Sequence, residues 1–367
     1  MGFSDFIGNE TAVRHLREAI AAGRLPHSLL MAGPRGAGKY TLAVMLAQAV
    51  NCLEQPVTGG LPDFCGHCSN CERIGQALDL ETRVAEAIAA REDLREVDKK
   101  ETRILVQTHP SVLVIPPDPP QLLIKMGQVR QVIREAQRTP SDARRAVFIF
   151  TSASFMKEAA NSLLKVLEEP PPYALIVLTA ENPGELLPTI RSRTSLVRLG
   201  AIAIEEIEPL LASRRSDLKP RERALVARLA EGAVGRALGF DLPGYLSSRA
   251  DALVLMRNAL QDPDHTALFK VTETYRAGAE GQEKTQGLIR AMRSLLEDLL
   301  ILLSGASGLI RNVDLERELG VMAGMVTLDW LDRASRGLQA VESGMRRNLL
   351  RNVSLDAFAA ELEGAGR

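Results

Sequence analysis

The sequence predicts an α/β domain built on a parallel sheet, followed by a region that is helical throughout. Three observations predict it. Five short apolar runs (28–32, 112–115, 146–150, 174–179 and 195–199) are mostly separated by helical patterns. Such alternation gives a parallel sheet covered on both faces. Residues 33–41, GPRGAGKYT, turn the first run into a helix through a glycine-rich phosphate loop. After Leu199 strand signals stop, and every periodic segment that follows is helical.

Taken in order, residues 41–50 continue the phosphate loop as a helix. Residues 126–138 place Val129, Ile133 and Ala136 on one face. Residues 155–168 do the same with Met156, Ala160, Leu163, Leu164 and Leu167, and stop at Pro170, Pro171 and Pro172. Residues 204–238 suit about three short helices. Beyond Pro243 the helices lengthen. Leu288, Met292, Leu295, Leu299 and Leu302 repeat at heptad-like spacing, flanked by Ile289, Leu296 and Leu303, so this helix is deeply buried. Trp330, the single tryptophan, is expected to pack the same bundle.

The phosphate loop departs from its pattern where it matters most. Gly33, Gly36, Gly38 and Lys39 form the cradle, but Tyr40 occupies the position of the Ser or Thr that ligates magnesium. Thr41 has the right hydroxyl one residue late, rotated by roughly 100° on a helix. A second loss follows the run 146–150, where a P-loop ATPase carries acidic residues that hold metal and orient water. Thr151 and Ser152 stand there, with no carboxylate before Glu158. Both losses together predict weak or absent ATP or ADP binding and no hydrolysis. The plainer alternative is a tight strand-to-helix turn that binds no nucleotide.

All four cysteines fall between positions 52 and 71. Cys65, Cys68 and Cys71 form C-x2-C-x2-C, and Cys52 lies upstream at the end of the phosphate-loop helix. The set matches a closed, structural Zn²⁺ site. An iron–sulfur cluster or free thiols are the alternatives; the ferredoxin pattern expects a further Cys-Pro downstream, which is missing. His67 is expected to be a bystander.

Of 367 residues, 46% are hydrophobic and 25% charged, with a net charge of −1, so nucleic acid can be met only by a local basic patch. One candidate is the helix 126–138, where Arg130, Arg134 and Arg138 align at intervals of four with Lys125 nearby. Lys125, Arg130 and Arg134 are the candidate DNA-facing residues; a merely solvated helix face is the alternative. The stretch 79–103 carries 14 charged residues in 25 and reads as an amphipathic helical excursion without evident function. The amino terminus lacks a signal-peptide pattern and no segment is apolar enough to span a bilayer, which predicts a cytoplasmic protein without membrane contact.

These residues resemble a family: the clamp-loader branch of AAA+ proteins, and within it the delta-prime subunits of bacterial DNA polymerase III. The resemblance covers residues 25–43, the cysteine knuckle, and THPSVLVI (108–115). Its most specific part is AANSLLKVLEEPPPYALIVLTAENPGELLPTIRSRT (159–194). It ends on RRNLLRNVSLDAFAAEL (346–362). It implies an AAA+ domain over 1–200, with a five-stranded parallel sheet, a zinc module (52–71) and a charged insert (about 76–108). A helical lid (201–242) and an all-α collar (243–367) follow. It further implies a rigid, non-hydrolysing member of a ring, with delta and gamma/tau subunits, the sliding clamp and primer–template DNA as partners. Arg193 falls where the family places the arginine of its SRC motif, as a finger for a neighbour's nucleotide. The alternatives are a surface salt bridge for Arg193, and an active motor ATPase for the chain. The triplet here reads Ser192-Arg193-Thr194, without the cysteine, and the HPD-like segment ends in Ser111.

Overall fold

A computed structural model describes residues 2–119, 121–261, 265–275, 279–345 and 350–363. The chain forms two compact units: Met1–Ala203 with Gly232–Arg236, and Ile204–Glu231 with Ala237–Arg367.

In the first unit the strands are β1 (Ser28–Ala32), β2 (Val57–Thr58), β3 (Leu61–Pro62), β4 (Val106–His109), β5 (Val112–Ile115), β6 (Ala146–Phe150), β7 (Ala174–Ala180) and β8 (Ser195–Arg198). The main sheet runs β4-β5-β6-β7-β1-β8, and β2 and β3 form a separate hairpin. The five expected strands are present and mutually parallel. The expected count of five is corrected, because β4 adds a sixth strand, antiparallel to β5, with a register shift between Val106 and His109. As an edge strand it pairs on one side only, and Gln107 and Thr108 between the buried Val106 and His109 are exposed and half-buried. It therefore lacks the continuous apolar run that marks a parallel strand.

β1, β6 and β7 are buried along their whole length. Side chains alternate between faces. Leu29 and Met31 join the core beneath helix α2 (Lys39–Asn51), while Leu30 and Ala32 join the core on the other face. That second core takes up helices α6 (Met126–Ala136) and α7 (Lys157–Glu168). On α6, Val129 and Ala136 are buried as expected, Ile133 is half-buried, and Val132 is an additional core residue. On α7, Ala160, Leu163 and Leu167 are buried, Leu164 is half-buried, and Met156 is exposed, because the helix starts at Lys157. The other helices of this unit are α1 (Glu10–Ala21), α3 (Ser69–Gly75), α4 (Leu80–Glu92), α5 (Glu96–Glu101) and α8 (Pro188–Arg191).

Further along the chain come α9 (Ile204–Arg214), α10 (Pro220–Leu229), α11 (Val234–Leu238), α12 (Leu242–Leu260), α13 (Thr266–Thr272), α14 (Ala279–Leu303), α15 (Glu316–Ala323), α16 (Leu328–Met345) and α17 (Arg351–Glu363). The heptad-like face of α14 is the centre of the second core, with Leu288, Met292, Leu295 and Leu299 buried and Ile289 and Leu296 beside them. The flank ends before the helix does, leaving Leu303 exposed. Trp330 is fully buried and its indole N–H donates to the Leu362 carbonyl, fastening α16 to α17. Residues 346–349 of the carboxyl-terminal motif lie outside the described residues. Among the described residues, no helix is long and apolar enough to cross a membrane.

Candidate functional site

The phosphate loop joins β1 to α2, and two left-handed glycines shape it: Gly36 at φ 83° and Gly38 at φ 85°. Side chains rarely adopt this region, so glycine is required at both. Gly33 is also required, since a Cβ there would lie 2.1 Å from the Leu199 carbonyl oxygen. The Lys39 ammonium donates to the Gly33 and Pro34 carbonyls at 2.6 and 2.8 Å, so it is folded back onto its own loop. Burial lowers the Lys39 pKa, and the Glu181 and Glu185 carboxylates partly oppose that shift. Two distant segments close on the glycines. The Gly235 amide donates to the Gly36 carbonyl at 2.8 Å. A Cβ on Gly36 would lie 2.7 Å from the Arg236 nitrogen, and one on Gly38 would lie 2.9 Å from the Phe6 ring.

Tyr40 is turned away from the cradle. Its hydroxyl donates to the Ala77 carbonyl, in the turn that follows α3. Burial pushes the phenol pKa up, which keeps it a donor rather than an anionic ligand. Thr41 is half-buried in the first turn of α2. Beyond β6, the Thr151 amide bonds the Ile115 carbonyl and the Ser152 hydroxyl accepts from the Ser154 amide. These groups cap a loop and bring no negative charge to the site.

The four cysteine sulfurs lie within 4.8 Å of one another, and all four are free of disulfides. Cys52 and Cys65 sulfurs are 3.6 Å apart, and Cys65 and Cys71 sulfurs 4.0 Å. A tetrahedron with metal–sulfur bonds of about 2.3 Å has an edge of about 3.8 Å, so the set fits a four-thiolate metal centre. Amides of Gln55 and Cys65 point at the Cys52 sulfur, and that of Cys68 at Cys65, which favours thiolates. Burial opposes the Cys68 thiolate, but amide bonds from Cys71 and Leu53 outweigh it and lower its pKa to about 7. Burial raises that of Cys71. His67 stands outside the sulfur shell beside Glu54.

Sequence reading missed the residues that moor this module. Gln48 on α2 donates to the Cys71 carbonyl at 2.8 Å. Asn70 donates to the Asn51 and Asp142 carbonyls, and its side-chain oxygen lies 3.2 Å from the His109 ring on β4. Burial lowers the His109 pKa, so the ring is neutral. For Gln48 the available signal was a polar residue in the apolar run of α2; Asn70 stands among polar residues and gave none, and its partners lie far away in sequence.

Arg193 follows α8. Its guanidinium lies 2.7 Å from a Glu168 carboxylate oxygen and donates to the Thr189 carbonyl at 2.9 Å. Arg130 and Arg134 are exposed on α6; Arg138, also exposed, lies just past the end of that helix and pairs with Glu135. Lys125 does not join them. Its ammonium donates to the Pro119 carbonyl and lies 3.8 Å from the fully buried Asp118 carboxylate. A buried carboxylate demands counter-charge, and this demand turns Lys125 inward.

A glycine-rich loop between a central parallel strand and a buried helix, with its metal-holding positions replaced, defines a P-loop protein of the AAA+ class. The chain belongs to the family described as DNA polymerase III, delta subunit, whose model matches residues 8–203, more than half of the chain. It is 28% identical to the DNA polymerase III subunit delta' of Bacillus subtilis over 255 residues, 69% of this chain and 66% of that one. It is 29% identical to the DNA polymerase III subunit tau of Escherichia coli over 241 residues, 64% of this chain. The match spans about a third of the tau subunit's length, 32%. Among solved structures, a gamma subunit-related protein of DNA polymerase III from Thermotoga maritima is similar at 19% identity and a TM-score of 0.42. That alignment covers 98% of this chain and 99% of the other.

Proposed function

We propose that this chain is a non-hydrolysing, delta-prime-type subunit of a clamp loader, which helps place a sliding clamp on primed DNA in the cytoplasm. The observation that carries the reading is the treatment of the magnesium position. Tyr40 commits its hydroxyl to the Ala77 carbonyl, and no carboxylate replaces the missing acids after β6. Phosphoryl transfer depends on metal and on charge stabilisation at both places. Lys39, bonded to its own loop, and the approach of Gly235 and Phe6 to the glycines support weak or absent nucleotide binding. The four cysteines would hold a structural Zn²⁺, which ties the module after α2 to that helix and takes no part in chemistry.

In this reading the AAA+ domain (1–200), lid (201–242) and collar (243–367) place the chain in a ring with delta and gamma/tau subunits. Arg193 reaches the nucleotide of a neighbour. A guanidinium offers fixed charge and paired donors to the γ-phosphate as charge builds in the transition state. In the free chain Glu168 and Thr189 hold that guanidinium in one orientation. Exposed Arg130 and Arg134 would meet phosphates of primer–template DNA, without sequence preference. The similarity to tau subunits favours a second reading, an active motor ATPase. Phosphate release measured on the purified chain decides between them. The first reading expects none with the isolated chain, and activity in the assembled ring that falls in Arg193→Ala.

A further inference from the structure

Among the described residues, two sets of side chains offer ligands for a metal ion, and they share one sulfur. One set is the four cysteines; the other is Cys65 with Glu54 and His67, whose ligand atoms also lie within 4.8 Å of one another. The sets differ in access. Cys52 and Cys71 are fully buried and Cys65 and Cys68 half-buried, whereas Glu54 and His67 are exposed. An ion that reaches the four sulfurs of the folded chain must therefore come in past the Cys65 side.

The chain builds this rim twice in the same way. The Gln55 amide donates to the Cys52 sulfur at 3.2 Å, and the Cys68 amide to the Cys65 sulfur at 3.2 Å. Each turn closes on the cysteine three residues back, and the residue two after that cysteine stands on the rim: Glu54 in one turn, His67 in the other. Both turns use left-handed backbone, at Gly66 (φ 77°) and at Gln55 (φ 41°). Glycine adopts that region freely; Gln55 is strained there, and its bond to the Cys52 sulfur holds it.

The His67 Nε2 and a Glu54 carboxylate oxygen are 3.4 Å apart. Nitrogen and oxygen ligands at about 2.0–2.2 Å from a tetrahedral zinc ion are themselves separated by about 3.4 Å. The pair is thus spaced to share a cation, and imidazole, carboxylate and thiolate together suit zinc. Three protein ligands leave the fourth position to water, which makes the outer set an open site beside a closed one.

We propose that Glu54, His67 and Cys65 form an entry site, which takes a zinc ion from solvent and passes it to the four-cysteine centre. The proposal rests on the reading that the four thiolates hold zinc. Cys65 stays bonded throughout. The sulfurs of Cys52, Cys68 and Cys71 displace the carboxylate, the imidazole and the water, and each entering thiol gives its proton to solvent. The same exchanges in reverse release the ion, so the entry site sets rates and leaves the affinity of the centre alone.

The full chain, loaded with zinc, is mixed with excess Cd²⁺. Cadmium–thiolate absorbance and the zinc captured by a chromophoric chelator report the exchange rate. Glu54→Gln and His67→Gln should each keep one zinc per chain at the parent's affinity and slow exchange several-fold, with hydrogen exchange through residues 52–71 unchanged. Parental exchange rates in both variants would overturn the proposal and leave the two side chains a surface ion contact. Weakened affinity would overturn it by making them ligands of the centre, and altered hydrogen exchange by assigning the effect to the fold. A second zinc retained by the parent through gel filtration would make the outer set a resident site and overturn it as well. If the parent holds no zinc and takes up no cadmium, the reading of the four-cysteine centre fails together with the proposal.

Discussion

Tyr40→Phe removes one hydroxyl and keeps the ring that packs on the first core. What it breaks is the bond to the Ala77 carbonyl, in a residue only 1% exposed. The bond itself contributes about 1 kcal/mol, and a buried carbonyl left without a partner costs about 1–3 kcal/mol. The turn after α3 should therefore open more easily by about 2 kcal/mol, roughly thirtyfold in the opening equilibrium. Gln48 and Asn70 still hold the module, so it loosens without detaching. Hydrogen exchange of peptides from α2 and α3 reads this directly, and fluorescence of Trp330, in the second unit, is an internal control that should not move. Unchanged exchange in α2 and α3 would refute the reasoning. The hydroxyl would then not be bound to Ala77, and the argument that it is lost to metal would go with it.

The protein as purified should carry one zinc and no iron; Cys52→Ser should release the zinc and speed exchange through residues 52–78 while β1, β6 and β7 stay protected, as elemental analysis and hydrogen exchange would report. Arg193→Ala should leave the fold intact, because an exposed ion pair such as that with Glu168 contributes at most about 1 kcal/mol. In the reconstituted ring the same change should slow the neighbour's hydrolysis, by up to about 10³–10⁵ if the finger acts as such groups do elsewhere. Alkali is the fourth test. Burial raises the pKa of Tyr40, Tyr245 and Tyr275. Their contribution is fully present below the unfolded value of about 10 and is lost as pH rises through the folded ones. Stability should thus fall above about pH 10, less steeply in Tyr40→Phe, by denaturation at stepped pH.

Legibility followed burial. β1, β5 and β6 stand where their apolar runs predicted, because a strand covered on both faces must be apolar at every position. β4 escaped, since Val106, Gln107, Thr108 and His109 make sense only once β5 lies beside them. The same limit hid Met156, which the stripe of α7 included although the helix begins one residue later. At the site, what is missing was readable: Tyr40, Thr151 and Ser152 are visible as wrong residues in a known pattern. Where the Tyr40 hydroxyl goes was not, because Ala77 is far away in sequence, as is Gly235, which closes on Gly36. The pairing of Lys125 with Asp118 was likewise not legible, as charge spacing alone cannot reveal a buried carboxylate.

The central claim is that the cradle survives without its catalytic parts. The most direct measurement is phosphate release from ATP and magnesium by the purified chain, beside Lys39→Ala. The account predicts no turnover above background in either protein. Turnover by the parent that disappears in Lys39→Ala would contradict it.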